Sequence, residues 1–169
     1  MRLRRAFLPT LLTLAPVIVL AQAPAAQPPA EETFQKALVA LKAGGKLGWV
    51  EFRADWCGWC KKMEKFFGEG DTSAVLKKYY LMIPIDYEKA AGAPQLSARL
   101  GEKGNEGLPW FAVVDAGGKL LATSEGPKGN IGFPGNDVEA AHFLSVLRAT
   151  AKGITPAELS LIEKALQAK

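Results

Sequence analysis

Val50-Glu51-Phe52-Arg53-Ala54-Asp55-Trp56-Cys57-Gly58-Trp59-Cys60-Lys61 holds both cysteines of the 169-residue chain, with two residues between them and just after an apolar run of strand length. If Cys57 opens a helix, a rise of about 1.5 Å and a turn of about 100° per residue set the two α-carbons about 5 Å apart. That separation lies within the span of a disulfide, so the reduced and oxidised pair fit one backbone.

The same placement sets reactivity. Unpaired N–H groups and the positive end of the helix dipole favour a thiolate at the first turn, and thiols held this way ionise at roughly pH 3.5–7.5 rather than about 8.5. Cys57 is therefore expected to be the exposed nucleophile, and Cys60, one turn further in, to resolve a mixed disulfide by attacking it. Lys61 and Lys62 either add positive charge nearby or form a solvated helical face. Zinc or copper is the chemical rival, but a closed zinc site takes four ligands and the one histidine, His142, falls far away in an expected helix. A static bridge is the other alternative, although so small a loop contributes little chain-entropy stabilisation.

Outward from this stretch, Leu47 to Ala54 reads as a strand. Before it, Phe34, Leu38 and Leu41 recur at helical spacing from Glu31 until Gly44-Gly45. After it comes a helix ending near Gly68, with Met63, Phe66 and Phe67 inward, and then a short helical turn over Thr72 to Lys78. Tyr80 to Ile85 has strand length, and Pro94 to Leu100 reads as a helix with proline in its first turn. Asp115-Ala116-Gly117-Gly118 is a hairpin turn between strands Trp110–Val114 and Lys119–Thr123. A glycine-rich loop, Gly126 to Gly135, precedes a helix capped by Asn136 or Asp137 and running to about Lys152. Thr155-Pro156-Ala157-Glu158 is a capping box for a last helix to about Ala168. The order predicts an α/β domain over residues 31–169, a central mixed β-sheet with helices on both faces and an extra C-terminal helix.

Met1 to Ala21 has a basic start, an apolar stretch and small residues at a cleavage position, the pattern of a signal peptide. As a retained anchor, the alternative, the stretch is shorter than the roughly 20 residues of a spanning helix, and Pro9 and Pro16 interrupt it. Gln22 to Ala30 is a Pro/Ala-rich linker. The expected location is periplasmic or secreted. The formal net charge of +4 owes much to Arg2, Arg4 and Arg5, without which 18 basic residues face 17 acidic ones. No basic stripe remains to bind nucleic acid.

The motif around Cys57 resembles the thioredoxin superfamily, a likeness extending over roughly Phe34 to Arg148, and among its members most resembles exported thioredoxin-like proteins and the C-terminal domain of the periplasmic transmembrane thiol reductase. The resemblance implies a thioredoxin-like fold and a thiol-disulfide oxidoreductase whose redox-active disulfide, Cys57–Cys60, is its own prosthetic chemistry, with no separate cofactor and no metal. It assigns Cys57 and Cys60 as catalytic residues and Glu51 as a buried acid moving the proton of Cys60, unless Glu51 simply points to solvent at the strand end. Leu108 and Pro109 match the family's cis-proline loop, which binds an extended substrate chain, and Gly126 matches a glycine beside the groove. Trp56 and Trp59 are candidates for the groove floor. The implied partners are disulfide-containing exported proteins and a membrane thiol electron donor. The departures are Gly58-Trp59 between the cysteines, Arg53 in place of a tryptophan, Met82 in place of a lysine near the acid, and Trp110, expected to narrow the groove. A binding module on the same scaffold, without turnover, is the second reading.

Overall fold

The computed structural model describes residues 27–104 and 107–168. The expected signal peptide and residues 22–26 of the expected linker lie outside the described residues. Strand β1 (Leu47–Arg53) is buried along its middle, as a nearly continuous apolar run requires of a central strand. It pairs in parallel with β2 (Tyr80–Asp86) and antiparallel with β3 (Trp110–Val114), which pairs antiparallel with β4 (Leu120–Thr123). The order is β2-β1-β3-β4. Pro84, which has no N–H to donate, accordingly sits on an edge strand.

Alternation along β1 divides the core in two. Val50 and Phe52 meet Trp110, Ala112 and Val114 beneath α1 (Ala30–Gly44) and α4 (Ala93–Arg99). On the opposite face Trp49 meets side chains of α2 (Gly58–Gly68), α3 (Gly70–Tyr79), α5 (Asp137–Thr150) and α6 (Pro156–Gln167). Its indole is stacked on Phe111 at 4.2 Å between ring centroids and also touches Phe67, Tyr80 and Phe143. Burying a ring of this size contributes about 5 kcal/mol of transfer free energy before entropy is subtracted. The α/β architecture with helices on both faces is the one expected.

Local differences have local causes. Helix α1 begins at Ala30, which is fully buried and donates its N–H to Ala91, so the domain takes in the last residue of the expected linker. The short turn expected at Thr72 is a ten-residue helix, because Thr72 and Ser73 are buried and Thr72 Oγ1 donates to the Phe66 carbonyl at 2.8 Å. Part of the glycine-rich loop forms a second hairpin, β5 (Glu125–Gly126) with β6 (Gly129–Asn130). At the β3–β4 turn Gly118 has φ 82°, a conformation that excludes most side chains. Asn136 caps α5 by accepting from the Glu139 N–H, and the Thr155–Glu158 capping box opens α6. Among the described residues, no helix is long and apolar enough to cross a membrane.

Candidate functional site

The chain leaves β1 at Arg53, turns through Ala54, whose carbonyl accepts from the Cys57 N–H, and enters α2 at Gly58. Cys57 is thus the N-cap of α2. Its Sγ accepts from the Cys60 N–H at 3.1 Å, one of the unpaired donors of a helix start. The two sulfurs are joined and the α-carbons lie 5.3 Å apart, in line with the spacing expected of a helix opening. The expected exposure of Cys57 is not found: it is 1% exposed and Cys60 0%. The cause is tertiary, since both sulfurs turn inward to meet each other and pack with Ala54 under Leu108.

Glu51 is fully buried, and among the described residues neither carboxylate oxygen has a hydrogen-bond partner. Loss of hydration pushes its pKa up to about 8; the negative charge of Glu64 adds to the rise and Arg53 opposes it. Glu51 shares its strand face with Trp49, the face covered by α2. Glu64 follows Cys60 by four residues, one helical turn along α2, and forms an ion pair with Arg53. Arg53 also reaches Asp55, at 3.4 Å. Met82, where the resemblance leads one to expect a lysine, is an apolar neighbour of Trp49, partnered across β1 and β2. A carboxyl whose pKa is raised to about 8, close to that of a thiol, beneath the helix that carries Cys60 can take up a thiol proton in its ionised form and return it.

Leu108 and Pro109 are joined by a cis peptide bond. Together with Trp59, Asn130, Phe133 and Glu139 they line a groove of about 340 Å³. Trp59 is 45% exposed, with Lys62 Nζ 4.0 Å from its ring centroid and Phe133 behind it at 6.5 Å. Of the expected substrate-binding residues, the fold brings Trp59, Leu108 and Pro109 together. Trp56 stands outside this groove, 68% exposed, with its Nε1 donating to Glu88 at 2.8 Å. The expectation that Trp110 narrows the groove is corrected: β3 turns it to the α1 side of the sheet, where it is fully buried and bonds Glu125. Gly126 does not line the groove either, but a Cβ there would come within 2.8 Å of Ile131, which does. His142 bonds the Thr123 carbonyl through Nε2.

Sequence reasoning missed Asn130 and Phe133, which come from the loop it left without a role, and Glu139, which comes from the first turn of α5. An asparagine between glycines is ordinary loop composition, so no local signal marks Asn130 as part of a groove 21 residues from Pro109.

No family model and no curated protein matches the chain. Among solved structures it is similar to a disulphide isomerase from Xylella fastidiosa Temecula1, with a TM-score of 0.53 and 21% identity over 89% of this chain and 99% of that one. A DsbH oxidoreductase has 24% identity and a TM-score of 0.48, covering 80% of this chain and 94% of that one. Thioredoxin NaTrxh from Nicotiana alata has 22% identity and a TM-score of 0.44, covering 76% and 99%. With its parallel β1–β2 pair, its antiparallel β3–β4 hairpin and a cysteine pair at the start of α2, the chain has a thioredoxin-like fold.

Proposed function

We propose that the protein is an extracytoplasmic thiol-disulfide oxidoreductase that reduces disulfides in exported proteins. The observation that carries the reading is the bonded Cys57–Cys60 pair at the start of α2, where the Cys60 N–H points at Cys57 Sγ. The same N–H favours the Cys57 thiolate once the bridge is reduced. That thiolate attacks one sulfur of a client disulfide, forming a Cys57–client bond and releasing the other client sulfur as a thiolate. Cys60 then gives its proton to the Glu51 carboxylate and attacks Cys57 Sγ. The internal disulfide re-forms, the second client thiolate leaves, and two electrons have passed to the client. A membrane thiol donor returns the pair to its reduced state.

The basic and apolar pattern of Met1 to Ala21 supports export, to the periplasm or beyond. The reductase direction rests on Glu51, which assists Cys60 in closing the bridge. Equilibration with a glutathione buffer checks it on a scale running from about −270 to −120 mV. A potential at the oxidising end removes the reductase assignment and leaves exchange or oxidation.

Burial of Cys57 is the observation that favours a second reading, a binding module locked by its bridge. One experiment separates the two. In an oxidoreductase, Cys60→Ala accumulates mixed disulfides with clients and Cys57→Ser abolishes insulin-disulfide reduction. If insulin reduction survives in Cys57→Ser, the enzymatic reading is wrong; if wild type reduces nothing and Cys60→Ala traps nothing, the binding module stands.

A further inference from the structure

The Asn130 side chain ties the Gly126–Gly135 segment to the proline loop. Asn130 Nδ2 donates to the Gly107 carbonyl at 2.9 Å and to the Pro109 carbonyl at 3.0 Å, while Asn130 Oδ1 accepts from the Gly132 N–H at 2.9 Å. Two carbonyls on one side and an N–H on the other fix the orientation of the amide, because the reverse would set oxygen against oxygen. The contact is close as well as polar. Gly132 has φ 54°, and a Cβ there would lie 3.2 Å from the Pro109 carbonyl oxygen.

The segment is also anchored at its base. Ile131 N–H donates to the Ser124 carbonyl at 2.9 Å, and Ser124, fully buried, exchanges bonds with the backbone of Phe111 on β3. This wall of the groove is therefore held both to the sheet, through Ile131, and to the proline loop, through Asn130. The carbonyls flanking Leu108 are taken by Asn130, whereas among the described residues the Leu108 backbone itself forms no hydrogen bond. An exposed stretch of extended backbone is where a client chain adds as a strand.

We propose that Asn130 is a positioning residue for polypeptide clients, holding Leu108 in the register to which an extended disulfide-bearing chain adds beside Cys57. The proposal rests on the oxidoreductase reading and names its substrate class: extended protein disulfides, in preference to small ones that need no backbone pairing.

Asn130→Asp keeps the shape but places an oxygen where Nδ2 stood, against two carbonyl oxygens. For insulin reduction by the mature protein it is expected to raise KM about tenfold or more, the effect of losing one to two hydrogen bonds. kcat, the redox potential and the rate with bis(2-hydroxyethyl) disulfide should stay as in wild type. Asn130→Ser, which retains one donor, should fall between the two and serves as the readout if the aspartate variant does not fold. An unchanged insulin KM in both variants overturns the proposal, as does a parallel fall in the insulin and small-disulfide rates, which marks a purely structural role. A wild-type protein inactive on insulin defeats the oxidoreductase reading itself, an outcome distinct from variants that match an active wild type.

Discussion

Leu108 packs against Cys57 and the bridge it forms with Cys60, so the sulfur expected to meet solvent is covered by a residue 51 positions away in the chain. The cover is a partly exposed side chain in the loop that lines the groove.

Leu108→Ala is accordingly expected to speed reduction of the bridge by dithiothreitol severalfold, followed by tryptophan fluorescence. Trp56→Ala, outside the groove, leaves that rate unaltered. Equal rates in wild type and Leu108→Ala would place the barrier elsewhere.

Glu51 makes stability depend on pH. A carboxyl whose pKa rises from an ordinary 4.5 to about 8 on folding binds its proton more tightly in the native state. Its contribution is complete below about pH 4.5 and declines as pH rises toward 8, by up to roughly 1.4 kcal/mol per unit for one group. Urea unfolding of wild type between pH 5 and 8 should show that decline, and Glu51→Gln should flatten it. In the same variant the Cys60 attack on a Cys57 mixed disulfide loses its inflection near pH 8. A wild-type stability that holds level over this range contradicts the neutral buried acid.

Trp49 is the centre of the α2-side core, with four aromatic rings against it. Trp49→Ala leaves a cavity that the sheet cannot close and should cost about 3–5 kcal/mol, read from the urea midpoint. A loss under 1 kcal/mol would mean that the core relaxes around the gap.

At the start of α6, Thr155 Oγ1 accepts from the Glu158 N–H, and Glu158 answers at the Thr155 N–H. Thr155→Ala should destabilise the domain by about 1 kcal/mol. Glu158 is held down to about pKa 2, first by its bond with Lys78 and then by the Thr155 backbone. Its contribution is present above the ordinary carboxylate range and disappears as pH falls toward 2. Glu158→Gln should remove that acid-side dependence, which thermal unfolding between pH 2 and 5 measures.

Much of this was legible along the chain. The cysteine spacing requires only the geometry of one helical turn, the Asn136 and Thr155 caps act across three residues, and the Asp115–Gly118 turn closes on itself. Interactions this short are encoded where they occur, and the apolar periods between them sufficed for an α/β sheet with helices on both faces. The side chains that govern access and proton chemistry are different. Trp110 follows the proline loop directly, yet the pleat of β3 turns it to the α1 face. Leu108 lies over Cys57, and Asn130 reaches Gly107 and Pro109, only because β1 and β3 pair in one register and the β5–β6 hairpin folds back beside them. Glu51 is an ordinary glutamate on paper; removal of water by α2 and the charge of Glu64 hold its proton to about pH 8. Local geometry is written in neighbouring residues, whereas burial and long-range hydrogen bonds arise only when distant segments close on one another.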